Sequence, residues 1–281
     1  MEKFKRQSYI AVPGTPVVLS THRDVAQSGS ALAWGARGRE FESRRPDQFL
    51  RLAGMNELAA NIEQIRERIA AACRRAGRDA GDVLLLGVTK TVLPEMVDVA
   101  VAAGLTVFGE NKVQEAQAKI PVVTGRARWH FIGHLQTNKA RTAVALFDVI
   151  QSVDSIKLAG ELDKWAAHTG KTQPILLEIN IAGEASKHGL RPEDVPDALV
   201  KINQFAHLEV RGLMAIPPVV ADQEQTRPFF RQLRTLRDQL GLPELSMGMS
   251  HDFEIAIEEG ATIVRIGTAI FGGRKKHESQ E

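Results

Sequence analysis

Cysteine is almost missing from this chain of 281 residues, which carries Cys73 and no other. A single cysteine excludes an internal disulfide and any metal cluster built from several thiolates. Disulfide-stapled secreted domains are therefore excluded as a class. The cysteine content is consistent with a reducing, cytoplasmic setting, which is where we expect the protein.

Long apolar runs and a basic body are missing as well. No stretch approaches the roughly 18 consecutive apolar residues of a membrane-spanning helix. Residues 1–54 carry nine Lys/Arg and five Asp/Glu, a net of +4, which leaves 27 basic and 29 acidic residues, a net of −2, for the remainder. Nucleic-acid-binding proteins carry a basic patch or stripe. We therefore expect neither a membrane nor a nucleic acid as a partner.

The first 54 residues lack a sustained helical or alternating pattern, and residues 26–47 are rich in Gly, Ser and Arg. Such a composition is typical of a disordered tail. The segment also resembles the spurious leaders that arise when a start codon is placed too far upstream. We therefore expect residues 1–54 to be a disordered or non-native leader, with the natural start at Met55 and one domain over residues 55–281.

Beyond the leader, helical and strand patterns alternate. Leu58, Ile62, Ile65 and Ile69 recur at steps of four, three and four, which predicts one face of an amphipathic helix. Apolar runs predict strands at residues 84–90, 105–108, 129–133, 148–153, 174–180, 208–216, 244–247 and 263–266. Helices are predicted between them at residues 94–103, 113–119, 138–146, 155–168, 192–205, 222–240 and 252–259. The helix over 222–240 has one predicted apolar face: Phe229, Leu233, Leu236 and Leu240.

Strands that alternate with helices imply parallel βα units. Eight units in about 200 residues predict an α/β fold, a single (β/α)₈ TIM barrel at the short end of its size range. A doubly wound open sheet is the alternative. It would more often carry a Gly-x-Gly-x-x-Gly turn after its first strand, and that turn is absent.

Lys90 ends the first predicted strand, where a lysine is unusual because lysines are rarely buried. One interpretation is an amine that forms a Schiff base with a carbonyl compound. The other is a side chain that extends from the sheet edge into water, and this stretch alone favours it. In a barrel, however, the C-terminal ends of the strands carry the active residues, so Lys90 is a candidate.

The loops after strands seven and eight have the composition of a phosphate site. Gly267 and the glycine before Met249 permit close backbone approach, and Ser250 and Thr268 offer hydroxyl donors. Barrels of this kind commonly bind phosphate in these two loops. A lysine that can form an imine, facing a phosphate site, suggests pyridoxal 5′-phosphate (PLP) as the cofactor.

Other polar residues at the strand ends have weaker signals. Arg265 would lie beside the ring nitrogen of PLP, with a salt bridge at the barrel mouth as the alternative. His130 is more typical of a hydrogen-bonded core histidine than of a catalytic one. His134, His188 and His251 show no spacing with Asp or Glu that is typical of metal ligands, so we expect no metal site.

Six segments in order resemble one protein family, the YggS/PROSC family of pyridoxal phosphate homeostasis proteins. They are LGVTKT (86–91), FGENKVQE (108–115), WHFIGHLQTNK (129–139), RGLMAIP (211–217), LSMGMS (245–250) and VRIGTAIFG (264–272). The resemblance runs from about Met55 to Arg274 and leaves the leader without a counterpart. His134 and His251 depart from the residues that relatives often carry there.

The resemblance implies a barrel of the alanine-racemase type, PLP fold type III, with PLP as a covalent aldimine on Lys90. It places the phosphate against Ser250, Gly267 and Thr268 and the ring nitrogen near Arg265. The full set of residues implied to contact the cofactor, besides the lysine, is Asn111, His130, Met249, Ser250, Arg265, Gly267 and Thr268.

A PLP-dependent amino-acid racemase is the rival to a carrier. Related racemases take a second base from a tyrosine of a β-rich domain, whereas this chain has only Tyr9, in the leader, and ends about 15 residues after the last strand. An arginine at the ring nitrogen also disfavours its protonation. We therefore expect no catalytic residues, and a monomer that holds PLP and delivers it to apo-enzymes. An aldolase using Lys90 on a sugar-like substrate is a third alternative.

Overall fold

The computed structural model of the chain describes residues 46–184 and 187–272. Eight parallel strands form a closed barrel in which each strand pairs with the next and the eighth pairs with the first. The strands are β1 Leu84–Val88, β2 Val107–Glu110, β3 Arg128–Phe131, β4 Val149–Val153, β5 Gln173–Ile179, β6 Leu208–Ala215, β7 Glu244–Ser246 and β8 Ile263–Ile266. The predicted TIM barrel is confirmed, and the open doubly wound sheet is wrong.

Helices surround the barrel in the predicted order as far as β8, and a short helix that was not predicted follows this strand. They are α1 Pro46–Arg75, α2 Pro94–Ala102, α3 Val113–Lys119, α4 Ala140–Leu146, α5 Ile156–Thr169, α6 Val195–Ile202, α7 Arg227–Gln239, α8 Phe253–Glu258 and α9 Thr268–Phe271. The helix α5 shows how local sequence sets its bounds, since the Ser155 side chain accepts a hydrogen bond from the Leu158 N–H at 3.3 Å. Gly170, with φ at 65°, ends this helix.

The helix α1 packs along the barrel with its predicted face inward. Leu58, Ile62, Ile65 and Ile69 are all buried. Residues 1–45 of the predicted leader lie outside the described residues. Because α1 begins at Pro46, its backbone crosses the predicted boundary at residue 54, and the position of that boundary stays a prediction.

Two expectations about element ends and faces are wrong in detail. The strand β1 ends at Val88, so Lys90 lies in the turn that follows and is exposed. In α7 the buried side chains are Phe230, Leu233 and Leu236, whereas Phe229 is half-buried at the edge of this face. Two adjacent phenylalanines fit the helical period about equally well, and tertiary packing selects the second.

The barrel interior is apolar toward the N-terminal ends of the strands and polar toward their C-terminal ends. Leu86 and Ile263 belong to the cluster of side chains that fills the interior. Because side chains alternate along a strand, Arg265 points to the same side as Ile263, and it pairs in register with Leu86. None of the helices in the described part of the chain combines the length and apolar character needed to cross a membrane.

Candidate functional site

A chain of four hydrogen-bonded side chains crosses the polar end of the barrel. Arg265 Nη1 donates to Ser246 Oγ at 2.7 Å, Ser246 Oγ donates to Gln151 Oε1 at 2.6 Å, and Gln151 Nε2 lies 2.7 Å from His130 Nδ1. All four residues are buried, on β8, β7, β4 and β3. Arg265 Nη2 also donates to the Ala215 carbonyl at 2.9 Å. The strands thus fix the guanidinium from two sides.

The direction of this chain follows from the guanidinium, which can only donate. The hydroxyl of Ser246 accepts from Arg265, so its own proton goes to the Gln151 oxygen. The amide NH₂ of Gln151 then faces His130, whose Nδ1 must accept and whose proton must lie on Nε2. Because Arg265 can only donate, it sets the tautomer of His130 through the two residues between them, Ser246 and Gln151.

Burial shifts the pKa of both ends of this chain. Burial, with smaller contributions from Arg128 and Arg211, lowers the pKa of His130 to about 3, so this histidine is neutral at physiological pH. Burial lowers the pKa of Arg265 to about 10, against the opposing charges of Asp252 and Glu178, and the arginine stays charged. The polar end of the barrel therefore holds a fixed cation beside a neutral imidazole.

Two buried acceptor atoms at the C-terminal end of the barrel, one of them on Glu178 near Arg265, lack hydrogen-bond partners among the described residues. Burial raises the pKa of Glu178 to about 7, with Asp154 adding to the rise and Arg265 opposing it. Its Oε2 and the Asn111 Oδ1 are buried without a hydrogen-bond partner among the residues that the structure describes. Buried acceptors without partners are costly and uncommon. They can therefore accept hydrogen bonds from a ligand that donates them.

Hydrogen bonds to the Asp252 side chain and to the backbone of β8 hold the loop after β7. The Met249 N–H donates to Asp252 Oδ1 at 2.6 Å, and the Arg265 N–H donates to the Gly248 carbonyl at 3.0 Å. Gly248 has φ at 89°, and a Cβ there would lie 2.6 Å from that of Ala256, so this position requires glycine. Met249 and the following Ser250 are half-buried on this loop.

The loop after β8 lies beside the end of β1. A Cβ on Gly267 would lie 3.4 Å from the Cβ of Val88 and 3.5 Å from its carbonyl oxygen, which is ordinary contact. Lys90 follows Val88 by two residues, and Thr268, like Lys90, is exposed. The register thus brings the predicted lysine and one predicted phosphate loop to neighbouring positions on the rim.

A buried ion cluster that sequence reasoning missed supports the turn of Lys90. Lys119 is 5% exposed, and its Nζ lies 2.5 Å from the Thr89 carbonyl, 2.6 Å from Glu110 Oε1 and 2.9 Å from Glu115 Oε1. Glu115 Oε1 also accepts from the Thr91 N–H at 2.5 Å. The cluster therefore holds the backbone on both sides of Lys90.

The turn needs such support because Thr91 has φ at 64°, which is unfavourable for a β-branched residue. A sequence signal for the cluster did exist, since Glu115 and Lys119 stand four residues apart on one helix. Such pairs are ordinarily exposed, and the pattern does not show that Lys119 is buried. The burial of Glu110 follows from β2 extending two residues beyond its predicted end.

All eight residues predicted to contact the cofactor lie at or after the C-terminal ends of β1, β2, β3, β7 and β8. The backbone of Asn111 lies against the loop after β3, because a Cβ on Gly133 would clash with the Asn111 carbonyl group. A separate groove of about 580 Å³ lies beside α1 at the N-terminal end of the barrel, where Leu84 and Val107 begin their strands. The chemistry favours the C-terminal end, although the roles of its residues stay predictions.

Comparison with known proteins agrees with this architecture. A family model described as alanine racemase, N-terminal domain, matches residues 56–275. The pyridoxal phosphate homeostasis protein of Aquifex aeolicus is 46% identical over 221 residues, covering 76% of this chain and 97% of that protein. The protein of the same name from Escherichia coli is 38% identical over 234 residues, covering 78% and 98%.

Solved structures resemble the chain as well. PipY of Synechococcus elongatus, a structure with PLP bound, is 39% identical with a TM-score of 0.65, covering 74% of this chain and all of that one (100%). The alanine racemase of Clostridium difficile, at 12% identity and a TM-score of 0.62, shares the fold alone. With a family model over most of its length and relatives at 38–46% identity that it covers almost completely, the chain belongs to the family of pyridoxal phosphate homeostasis proteins, built on the alanine racemase N-terminal domain.

Proposed function

We propose that this chain binds PLP at the C-terminal end of its barrel, holds it through the amine of Lys90 and serves intracellular PLP homeostasis. The names of the relatives and the PLP bound to PipY support this proposal. The observation that carries it is the position of Lys90, exposed in the turn after β1 and next to the Gly267 loop after β8.

The residues at this end fit the cofactor. PLP supplies an electrophilic aldehyde for an amine, together with a phosphate and a pyridine nitrogen. Lys90 offers the amine, the loops of Ser250 and Gly267 offer backbone and hydroxyl donors, and Arg265 offers a fixed cation. The acceptors of Asn111 and Glu178 that lack partners among the described residues can take hydrogen bonds from the ligand.

The same residues favour storage over catalysis. Arg265 is a donor whose pKa stays near 10, so a ring nitrogen that accepts from it remains unprotonated and withdraws electrons weakly. Tyr9, the chain's sole tyrosine, lies outside the described residues. A weakly electron-withdrawing ring favours a site that holds the aldehyde and releases it over one that catalyses amino-acid chemistry.

Absorbance tests the binding directly. Full-length protein titrated with PLP should gain a visible absorption that differs from that of free PLP, and Lys90→Ala should abolish it. Lys112→Ala is the matched control, because Lys112 is an exposed lysine after the neighbouring strand β2 and should leave the absorption unchanged. A Lys90→Ala protein with the parent spectrum would contradict the proposal.

Racemization and delivery require separate assays. Loaded protein incubated with L-alanine should form no D-alanine beyond the amount that free PLP produces, whereas steady formation would favour the racemase. Delivery to apo-enzymes predicts that the loaded protein restores activity to a PLP-dependent apo-enzyme. The predicted monomer is checked by light scattering, and the cytoplasmic setting stays a prediction.

A further inference from the structure

Three potential metal ligands that are far apart in sequence meet at the rim of the barrel. His134 follows β3, Asp154 follows β4 and His188 lies in the loop after β5. One ligand atom from each lies within 4.8 Å of the other two. Their spacing of 20 and 34 residues matches no short metal motif, which explains why the sequence predicted no metal site.

Direct contacts already organise this group. His134 Nδ1 lies 3.3 Å from Asp154 Oδ2, and the rings of His134 and His188 stack with centroids 3.6 Å apart. The other oxygen of the carboxylate, Oδ1, accepts from Ser155 Oγ at 3.0 Å. Ser155 in turn caps α5 through the Leu158 N–H. The carboxylate is therefore oriented by a residue anchored on a helix, as metal-ligating carboxylates are.

We propose that His134, Asp154 and His188 bind one divalent transition-metal ion, of which Zn²⁺ is the probe. Two imidazoles and one carboxylate are a ligand set of catalytic and labile zinc sites, in which water occupies the fourth position. Borderline metals of the Zn²⁺, Ni²⁺ and Cu²⁺ class prefer imidazole, whereas Mg²⁺ and Ca²⁺ prefer sites built from oxygen alone.

Because the two histidines are exposed, their rings can reorient toward a metal ion at a small cost in free energy. Zinc binds nitrogen and oxygen at about 2.0–2.2 Å, which sets tetrahedral ligand atoms roughly 3.3 Å apart. Stacked rings must therefore turn about their side-chain bonds to aim their nitrogens at one ion. Both histidines are exposed, His134 with 41% of its side chain, so they can turn without disturbing packed neighbours.

The surroundings leave room for water and provide negative charge. A hollow of about 170 Å³ lies beside His134 and is lined also by Asn111 and Gln136. Asp154 is 15% exposed and close enough to Glu178 to raise its pKa, so a second carboxyl group lies near the ion. A hydrated cation can thus enter from solvent and lose only part of its water shell.

The test is zinc binding by the full-length, untagged protein, measured by competition with a metallochromic chelator. We expect one tight Zn²⁺ per chain in the parent. His134→Ala, His188→Ala and Asp154→Asn should each weaken it at least about tenfold, because even residues outside the ligand shell contribute that much at zinc sites. Zinc should also raise the unfolding temperature of the parent more than that of the three variants.

His207→Ala provides the matched control. His207 Nδ1 lies 3.6 Å from Asp163 Oδ1 and the side chain is 43% exposed, so it repeats the His–Asp pair of His134. Within the described part of the chain this pair belongs to no group of three potential ligands. Its removal should leave zinc affinity unchanged. A parent that binds no zinc, or His134→Ala and His188→Ala proteins that bind it as the parent does, would overturn the proposal.

Discussion

At the scale of single residues, the site depends on one directional chain of hydrogen bonds. Because Arg265 can only donate, it fixes the direction of the hydrogen bonds that Ser246 and Gln151 make. His130 is then left with its proton on Nε2. Sequence identified Arg265 and His130 as separate candidates, and it could not identify the two residues that connect them. Ser246 and Gln151 read as ordinary polar residues within strands, and only the closed barrel brings them together.

Replacing Gln151 by leucine tests this chain. The change conserves approximate volume, but it leaves the hydroxyl proton of Ser246 without an acceptor and His130 Nδ1 without a donor, both in a buried site. Each buried group that loses its partner in this way costs about 1–3 kcal/mol. We expect the free energy of unfolding in urea to fall by at least about 2 kcal/mol. Gln114→Leu, on the exposed face of α3, should change it by less than about 0.5 kcal/mol. If the Gln151→Leu protein were as stable as the parent, the series of hydrogen bonds from Arg265 to His130 would be contradicted.

Glu178 gives a pH-dependent prediction for the cofactor-free protein. Its pKa is about 7 when folded against an ordinary value of 4.5, so folding disfavours the charged form. The resulting loss of stability is absent below about pH 4.5, develops as pH rises and is complete above about pH 7. Glu178→Gln should therefore be more stable than the parent at pH 8, by up to about 3 kcal/mol.

The measurement is urea unfolding of parent and variant between pH 4.5 and pH 8. The stability difference should grow steadily across this window, and Glu193→Gln, an exposed carboxyl near α6, should show no such trend. A difference that stays constant with pH would mean that Glu178 does not titrate in this range.

At the scale of elements, α3 serves the turn after β1. Lys119, at the last residue of α3, reaches under the turn to the Thr89 carbonyl and, together with Glu110 and Glu115, holds the backbone around Lys90. This arrangement couples the second βα unit to the lysine of the first. The sequence contained the Glu115–Lys119 pair, whereas its burial depends on the packing of α3 against the barrel.

Replacing Lys119 by methionine should be strongly destabilising. The change preserves the aliphatic stem but leaves Glu110 buried without its cation, and breaking a buried ion pair in this way costs about 3–5 kcal/mol. The Thr91 amide, bonded to Glu115 Oε1, should also exchange its hydrogen faster, because the turn loses its anchor. Urea unfolding and amide hydrogen exchange measure the two effects.

Lys164→Met is the control for this change. Lys164 pairs with Glu161 at 3.8 Å on the exposed face of α5, and exposed pairs contribute little. We expect a change below about 0.5 kcal/mol and unaltered exchange at Thr91. If Lys119→Met were as mild as this control, the ion cluster would not hold the turn.

At the scale of the whole molecule, periodicity predicted the barrel because each βα unit carries its own apolar pattern. The pattern from Leu58 to Ile69 and the eight strand patterns are local signals. The structure has the corresponding buried face and strands at nearly the predicted positions. What could not be predicted depends on neighbours distant in sequence. The core contains Phe230 where Phe229 was predicted, and Lys119 is buried beneath a turn. His134, Asp154 and His188 come from three different loops and lie close together.

Covalent attachment of PLP to Lys90 can be observed on the peptide itself. The full-length protein is incubated with PLP, reduced with borohydride, digested and analysed by mass spectrometry for the lysine that carries the reduced cofactor. We expect stoichiometric labelling of Lys90, with Lys112 and Lys119 unlabelled. Labelling spread over surface lysines, or undiminished labelling of the Lys90→Ala protein, would contradict it.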